Sequence, residues 1–342
     1  MAHYGIFRTD RIGDLILTLP MAEAIRQHDA DARITFVVQE YTRSLAALCP
    51  SVDEVLTIPS RDLEGGIVAF SRVLKEKRID AAFFAFPRPR LALAARLAGI
   101  PLRAGIAYRW YSFLFTHRRK EHRNPSVFHE CDYNLRLLET AGLPVRSNAL
   151  PRLQIDASLR AEGRAILDES TLDAARPFVV LHPGSGGSAR DWAPDRFAAL
   201  AARLGEESGL QTLVTGSASE APLVKAVQEN GGEHAHSLAA PVSLRQLAAV
   251  LAEARLCVAN STGPLHLAAA VNTPVLGLYP FQRVLHPRRW GPLGNDVRVL
   301  TPPPDEQCRD CAEERCPRHD DMSRIGVDAV YEAATALLGS GV

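Results

Sequence analysis

The sequence predicts an α/β protein built from two doubly wound domains with mainly parallel sheets. Short, continuous apolar runs alternate with helical stretches, as expected for strands that helices cover on both faces. The alternation runs through the first half, is interrupted by a proline-bearing connector at about 143–176, and restarts in the second half. A chain of 342 residues is also too long for a single core of ordinary size.

We expect an N-terminal domain over 1–155, a C-terminal domain over 156–325, and a helix over 326–342 that packs at the domain junction. A cleft between such domains would be a natural ligand site, because the carboxyl ends of the strands and the helix N-termini face it. The predicted strands are 4–8, 34–38, 81–86, 178–181, 211–215, 256–259 and 274–278. The predicted helices are 12–27, 158–168, 195–204, 244–252, 265–271 and 327–338, and another begins at Glu220.

Composition and charge narrow the function classes. Hydrophobic residues make up 46% of the chain and charged residues 23%, which is typical of a globular protein. The 39 basic and 39 acidic side chains balance, so nothing indicates a general nucleic-acid binder. The N-terminal stretch does not resemble a signal peptide, because Arg8, Asp10 and Asp14 interrupt its apolar run. No segment approaches the roughly 20 uncharged apolar residues of a membrane span. We expect a cytoplasmic protein that meets any lipid-linked substrate at the inner membrane surface.

A glycine-rich turn over 182–192 leaves one predicted strand and precedes a helix. Its three glycines give a backbone that can wrap around phosphate oxygens, and Ser185 and Ser188 lie within it. Arg190 adds a permanent positive charge with a fork geometry suited to a diphosphate. The pattern indicates a phosphate-binding loop, with an ordinary connecting loop as the alternative.

A second anion site is predicted where a strand meets the helix over 265–271. Ser261 and Thr262 can cap that helix, and Gly263 lets a ligand approach the backbone. The free N–H groups and the helix dipole suit a diphosphate. His266 lies on the first turn and faces the same region. A well-capped helix without a ligand is the alternative.

The turn over 8–14 joins the first strand to the first helix and carries Asp14 after Gly13. A carboxylate at this position can act as the general base for an acceptor hydroxyl. The alternative is structural, since Asp is a favoured residue near a helix N-terminus.

Together these three segments resemble the ADP-heptose:lipopolysaccharide heptosyltransferases, glycosyltransferase family 9. The resemblance rests on R-x-D-R-I-G-D-x-x-L-T-x-P over 8–20, the HPGSG…R-x-W turn, and the S-T-G-P-x-H-L-A-A-A helix start, with Gly216 and Glu220 between them. It covers nearly the whole chain. It implies the GT-B fold, two Rossmann-like domains facing an interdomain cleft, with the acceptor on the N-terminal domain and the nucleotide-sugar donor on the C-terminal one. It also implies an inverting transfer that requires no metal or other cofactor.

The resemblance assigns roles by position. Asp14 matches the proposed general base, and Arg190 takes the place of a basic residue that contacts the donor phosphates. Glu220 falls near the position expected to bind the donor ribose. The remaining donor contacts that it implies are Ser185, Ser188, Thr262, Gly263 and His266. One departure is visible, because the family usually carries Asp ahead of the S/T-G-P triplet where this chain has Asn260.

A basic stretch over 103–123 is interleaved with aromatic residues and suggests contact with an anionic partner. A lipopolysaccharide core acceptor and an anionic membrane surface would both favour it. We expect Arg118 and Arg119 to bind the acceptor, together with Arg11 and Arg88. A solvated loop with some core aromatic residues is the alternative.

The six cysteines divide into two groups. Cys49, Cys131 and Cys257 have apolar neighbours and are predicted to be core residues. The others form a cluster whose spacing fits a structural zinc or iron site as well as free surface thiols. Its members are Cys308, Cys311, Cys316 and His319.

Three alternatives to heptose transfer stay open. A transferase of the same family could use another nucleotide sugar or another acceptor. A nucleotide-sugar 2-epimerase shares the two-domain architecture, although the turn over 8–14 argues against it. The change to Asn260 also allows a donor-binding protein without catalysis, which the presence of Asp14 disfavours.

Overall fold

A computed structural model describes residues 1–58, 66–145, 149–173, 175–303 and 322–339. The chain forms two compact units, Met1–Gln154 and Ile155–Val342. Each unit contains one six-stranded sheet flanked by helices, and the strands within each sheet are parallel. This is the doubly wound α/β architecture that the alternating apolar runs predict.

The first unit orders its strands β3-β2-β1-β4-β5-β6. The central strands are apolar and covered on both faces, and the rings of Phe7 and Phe84 stack with centroids 4.4 Å apart. These residues are register partners on neighbouring strands. The strands are β1 (His3–Phe7), β2 (Arg33–Gln39), β3 (Glu54–Ile58), β4 (Ala81–Phe84), β5 (Leu102–Ile106) and β6 (His117–Arg119).

The helices of the first unit correct one prediction. The helix expected over 12–27 is two helices, because Pro20 has no N–H to continue the first one and instead begins the second. The helices are α1 (Ile12–Ile16), α2 (Pro20–His28), α3 (Arg43–Ala46), α4 (Ile67–Lys77), α5 (Pro89–Leu97) and α6 (Glu130–Leu138).

The second unit repeats the topology, with the order β12-β11-β10-β7-β8-β9. Every residue of β7 and β10 is buried, which explains the apolar runs over 178–181 and 256–259 that precede the polar residue at the end of each strand. The strands are β7 (Phe178–His182), β8 (Gln211–Val214), β9 (Ala235–Ser237), β10 (Leu256–Asn260), β11 (Val275–Leu278) and β12 (Val297–Leu300).

Apart from the short α12 (Pro287–Trp290), which was not predicted, the helices of the second unit lie close to their predicted positions. They are α7 (Ala157–Asp168), α8 (Pro194–Ser208), α9 (Ala221–Asn230), α10 (Leu244–Glu253), α11 (Gly263–Ala270), α12 (Pro287–Trp290) and α13 (Val327–Gly339). Within this unit α13 packs on α8 and β10, and its position at the domain junction stays a prediction. In the described part of the chain, no helix is both long and apolar enough to cross a bilayer.

The C-terminal segment of the second unit is tied to the start of α8. Trp192 is fully buried, and its Nε1 donates to the carbonyl oxygen of Ile325 at 2.8 Å. Arg196 Nη1 donates to the same oxygen at 2.9 Å.

The strand orders identify a ligand-binding edge in each unit. Doubly wound sheets bind ligands at the carboxyl ends of the two central strands, where successive connections leave in opposite directions. That point lies between β1 and β4 in the first unit and between β7 and β10 in the second. The turn over 8–14 follows β1, and the glycine-rich turn over 182–192 follows β7.

Candidate functional site

The glycine-rich turn of the second unit requires glycine for two separate reasons. A Cβ atom on Gly184 would lie 2.0 Å from Oε1 of Glu220, so a side chain here would displace the Glu220 carboxylate from its place beside the turn. Gly186 and Gly187 have φ values of +56° and +73°, in the left-handed region that side chains disfavour. The turn thus has a tightly specified backbone.

Glu220 helps to hold this turn. Its carboxylate accepts hydrogen bonds from Gly186 N at 3.2 Å and from Ser217 N at 2.8 Å. Although burial favours its protonated form, the hydrogen bonds from Ser217 and Gly186 outweigh burial and lower the pKa of Glu220. The predicted contact with a donor ribose therefore involves a carboxylate that already organises the turn. That contact stays a prediction.

His182 lies beneath the turn at the end of β7. Burial lowers its pKa to about 4, so the imidazole is neutral near pH 7. Its Nδ1 lies 3.0 Å from the hydroxyl oxygen of Thr215, at the end of the neighbouring strand. His182 is therefore a buried polar link between β7 and β8.

The helix start at α11 lies beside the glycine-rich turn. The hydroxyl of Ser188 lies within hydrogen-bond distance of two acceptors, the carbonyl oxygens of Ser185 at 2.7 Å and of Ser261 at 3.2 Å. The two predicted phosphate-binding segments thus occupy one edge of the second unit, and His266 is buried on the first turn of α11.

The expected capping of α11 is wrong in its detail. Thr262 is the N-cap residue, but its side chain makes no capping hydrogen bond within the described ranges. The hydroxyl of Ser261 instead interacts with the side chain of Tyr279. The first-turn N–H groups of α11 are therefore not occupied by a side-chain cap, which suits an anion site at this helix of eight residues.

Asn260 has a structural role that the sequence did not indicate. It is fully buried, its Nδ2 donates to the carbonyl oxygen of Pro183 at 2.6 Å, and its Oδ1 accepts from Trp192 N at 2.9 Å. One amide thus fixes both ends of the glycine-rich turn to the end of β10. Both polar atoms of the Asn260 side chain therefore bind the protein itself.

The other predicted donor contacts occupy different environments. Ser185 is buried, and its hydroxyl donates to the carbonyl oxygen of Ala189 at 3.2 Å, so it stabilises the turn. Arg190 is exposed at the end of the turn, and Gly263 begins α11. Main-chain amides, an exposed guanidinium and a helix N-terminus are thus brought together at this edge.

In the first unit, Arg8 is the centre of a buried ionic cluster. Its guanidinium, only 2% exposed, pairs with Asp10 at 2.7 Å, with Glu130 at 3.2 Å, and at short range with Asp14. The Asp14 side chain is 17% exposed, so its carboxylate lies at the surface of this cluster. The turn over 8–14 is therefore organised around Arg8, with Asp14 as an accessible carboxylate.

Burial and charge act in opposite directions within this cluster. Burial alone would lower the pKa of Arg8, but Asp10, Asp14 and Glu130 outweigh it and raise that pKa. For Asp10 burial is the larger effect, and it raises the pKa of this carboxyl to about 6 against the attraction of Arg8.

Sequence reasoning missed Glu130 and Asn134 as members of this site. Both lie on α6, where Asn134 Oδ1 accepts from Arg8 Nη1 at 3.3 Å. Arg123 also pairs with Glu130 and donates to Asn134 at 3.2 Å. The available signal was a pair of polar residues four positions apart among the apolar residues of α6.

The predicted acceptor residues separate into distinct positions. Arg11 is exposed at the N-cap of α1, and Arg88 lies at the N-cap of α5 with its guanidinium 5.1 Å from the Phe86 ring. Arg8 lies 5.9 Å from the same ring, so Arg88 shares the edge that carries Asp14. Binding of an acceptor by these residues stays a prediction.

Arg118 and Arg119 do not form one patch. They are consecutive residues of β6 and project to opposite faces of the sheet. Arg119 pairs with Glu139 at 2.6 Å, whereas Arg118 is exposed. The position of Arg118 is the better suited of the two to an external ligand.

The aromatic residues of the basic stretch divide in the same way. Tyr111 and Phe115 are buried in the core of the first unit, as the core alternative predicted. Trp110 is 79% exposed, and Tyr108 and Phe113 are also exposed. Tyr108 and Trp110 directly follow β5, on the same carboxyl edge of the sheet as the turn over 8–14.

The predicted metal cluster lies outside the described residues. Its members are Cys308, Cys311, Cys316 and His319. Within the described ranges, no group of three or more His, Cys, Asp or Glu side chains could hold a metal ion. Cys49, Cys131 and Cys257 are buried free thiols, as predicted.

Comparisons with known proteins agree with the family that the sequence resembles. The model of glycosyltransferase family 9 (heptosyltransferase) matches residues 67–320. A Haemophilus influenzae protein described as an inferred glycosyltransferase is 30% identical over 309 residues, covering 85% of this chain and 86% of that protein. Lipopolysaccharide heptosyltransferase 2 of Escherichia coli is 26% identical over 303 residues, covering 84% and 85% of the two chains.

Solved structures agree on the fold. A family 9 glycosyl transferase from Veillonella parvula superposes with a TM-score of 0.86 at 22% identity, covering 99% of this chain and 98% of that one. The E. coli ADP-heptose lps heptosyltransferase II gives 0.77 at 23% identity and covers 99% of both chains. The predicted GT-B fold is thereby confirmed. The motifs, the two sheets and the family match lead to one conclusion: this chain is a glycosyltransferase that belongs to family 9, the heptosyltransferase family.

Proposed function

We propose that this enzyme transfers a heptose from ADP-heptose to an anionic lipopolysaccharide inner-core acceptor, with inversion and without a metal. The observation that carries the proposal is the arrangement at the carboxyl edge of the second unit. There the glycine-rich turn, Arg190 and the N-terminus of α11 gather amide donors and positive charge where a diphosphate would bind. Family membership and the names of the similar heptosyltransferases support the choice of donor and acceptor.

On the donor side, the chemistry requires stabilisation of a leaving diphosphate. As the bond from the anomeric carbon to the phosphate oxygen breaks, the electron pair goes to the diphosphate and positive character develops on the sugar. Main-chain amides of the turn, the N–H groups of α11 and Arg190 stabilise that negative charge by electrostatics. In this proposal these groups suffice without a bound cation.

On the acceptor side, Asp14 is the proposed general base. It takes the proton of the attacking hydroxyl while the oxygen forms the new bond to the anomeric carbon, so the configuration inverts. Its carboxylate is partly exposed, which leaves it accessible to a hydroxyl group, and its pairing with Arg8 fixes its orientation. Arg11, Arg88 and Arg118 would bind the acceptor's carboxylates and phosphates, and Arg119, already paired with Glu139, would contribute less.

The proposed acceptor is attached to a lipid, so the first unit would work at an anionic membrane surface. Exposed Trp110, Phe113 and Tyr108 suit the interfacial region of a bilayer, where aromatic side chains are enriched. Arg109, within the same loop, and Arg118 are also exposed and would favour an anionic leaflet.

A nucleotide screen followed by a transfer assay tests the proposal. ADP and ADP-heptose should raise the melting temperature more than UDP or GDP compounds, because a ligand that binds only the folded state stabilises it by about 2.7 kcal/mol at one hundred times its Kd. Incubation with ADP-heptose and a Kdo-bearing lipid A acceptor should then add one heptose by mass, and EDTA should not slow the transfer. Preference for another nucleotide sugar would refute the donor assignment. Binding without transfer would refute the catalytic one.

A further inference from the structure

Helix α6 extends two polar side chains toward the turn that carries Asp14. Glu130 is 1% exposed and Asn134 is fully buried, and their spacing of four residues places them on one face of the helix. The same helix is otherwise rich in buried apolar residues. The family motifs described above do not include either residue.

The first connection from α6 reaches the Asp14 side chain. Glu130 Oε1 accepts from Arg8 Nη1 at 3.2 Å, and Asn134 Oδ1 accepts from the same nitrogen at 3.3 Å. The other terminal nitrogen of Arg8, Nη2, donates to the Asp14 carboxylate. Glu130 and Asn134 therefore hold the guanidinium plane that orients Asp14.

The second connection reaches the Asp14 main chain. Asn134 Nδ2 donates to the Thr18 hydroxyl oxygen at 3.1 Å and to the carbonyl oxygen of Leu17 at 3.2 Å. The Thr18 hydroxyl in turn donates to the carbonyl oxygen of Asp14 at 2.7 Å. The side chain and the main-chain carbonyl group of Asp14 are thus both linked to one helix, which lies more than a hundred residues away in sequence.

Burying the charged groups around Arg8 costs free energy of desolvation, which a role in the site would explain. The cluster contains two cations, Arg8 and Arg123, and three carboxylates, those of Asp10, Asp14 and Glu130. When all five groups are ionised, the cluster has a net charge of −1. Beyond these, the Arg88 guanidinium lies over the neighbouring Phe86 ring, and the Tyr41 hydroxyl donates to the carbonyl oxygen of Asp10. Apolar side chains could pack α6 at a lower desolvation cost.

We propose that Glu130 and Asn134 are positioning residues for the transfer reaction, which hold the proposed base Asp14 through Arg8 and Thr18. This inference rests on the proposed function for its kinetic consequences. The coupling itself is a property of the first unit and is measurable in the absence of any substrate.

Titration of the cluster tests the coupling directly. Burial raises the pKa of Asp10 to about 6, so the carboxyl carbon resonance of Asp10 reports the charge around Arg8 by NMR. Glu130→Gln removes a negative charge and should lower the Asp10 midpoint by roughly one pH unit, whereas Asn134→Asp adds one and should raise it by a similar amount. The control is Glu121→Gln, because Glu121 pairs with Arg136 at 2.8 Å and makes no hydrogen bond or ion pair with Arg8. It should leave the midpoint unchanged.

Kinetics test the positioning role. Glu130→Gln and Asn134→Asp should each lower kcat roughly tenfold or more, because the proposed base Asp14 loses its orientation. The Kd for ADP should not change, and a melting curve would confirm that each variant folds. Should Glu130→Gln not fold, Arg123→Gln at the half-buried end of the cluster replaces it, and it should raise the Asp10 midpoint because a positive charge is lost.

The outcomes separate the two proposals. An Asp10 midpoint equal to that of the Glu121→Gln control in both cluster variants would overturn the inference, as would normal kcat values. If the wild-type enzyme transfers no heptose, the proposed function fails, but opposite shifts of the midpoint would still support the coupling.

Discussion

Replacement of Asn260 by Asp tests whether one buried amide maintains the glycine-rich turn. The new carboxylate can still accept from Trp192 N. It has no proton to donate to the carbonyl oxygen of Pro183, which in the wild-type protein accepts a hydrogen bond from Asn260 Nδ2 at 2.6 Å. The change leaves a buried acceptor unsatisfied, at about 1–3 kcal/mol, and buries a charge as well. Together we expect a loss of about 3–5 kcal/mol in the free energy of unfolding at pH 8.

The loss should depend on pH with a definite sign. A protonated Asp at this position can donate to Pro183 and accept from Trp192, so the folded state favours the proton. A penalty of about 3–5 kcal/mol corresponds to a folded-state pKa raised by roughly two to four units. The folded protein then binds a proton that the unfolded chain has released. The difference in the free energy of unfolding between wild type and Asn260→Asp should therefore become smaller as the pH falls from 8 to 5.

Urea unfolding at pH 5 and pH 8 measures both effects, and calorimetry with ADP measures the effect on the turn. We expect the ADP affinity of Asn260→Asp to fall about tenfold at pH 8, since about 1.4 kcal/mol of turn distortion would suffice. The matched control is Asn230→Asp, where an exposed amide donates to the carbonyl oxygen of Ala226 at 2.7 Å. Equal stability of the two variants, or a deficit that does not change with pH, would refute the reasoning.

Four further predictions concern other parts of the molecule. Asp14→Ala should abolish transfer with ADP binding nearly intact, as measured by product mass and calorimetry. Arg190→Ala should weaken ADP binding by about 1.5–3 kcal/mol, the usual loss for a hydrogen bond to a charged group, and an unchanged Kd would contradict its role. Trp110→Ser with Phe113→Ser should reduce sedimentation with anionic vesicles without altering the melting temperature by more than a degree or two. Because the buried thiols of Cys49, Cys131 and Cys257 are protected, at most three of the six cysteines should react with a thiol reagent in the native protein. Fewer than three reactive thiols, together with a metal ion detected by elemental analysis, would establish the metal cluster.

The central parts of the fold were predictable because their sequence patterns are local. Strands β7 and β10 are buried along their whole length, so an unbroken apolar run marks each of them. Five strands were missed: β3, β5, β6, β9 and β12. Among them β6 is only three residues, His117–Arg119, at the edge of a sheet, where polar side chains are tolerated. A local sequence pattern therefore indicates a buried central strand well, but it gives little indication of a short strand that pairs at the edge of a sheet.

The site was predictable where a short motif carries the chemistry. The turn over 8–14 places an accessible carboxylate after the first strand, as its sequence suggested. The helix that supports it was not predictable, because Glu130 contacts Arg8 across 122 residues and no local pattern specifies that partner. The structural role of Asn260 was missed for the same reason, since its partners Pro183 and Trp192 lie at the two ends of a turn far earlier in the chain.

The bond from Trp192 to the carbonyl oxygen of Ile325 has a consequence for biosynthesis. Its two residues are 133 positions apart, so at roughly 5–20 residues per second a ribosome needs roughly 7–27 s to deliver the second after the first. Throughout that interval the indole nitrogen has no native acceptor, and the second unit cannot reach its finished form. The native packing around Trp192 is therefore completed only after translation has passed Ile325.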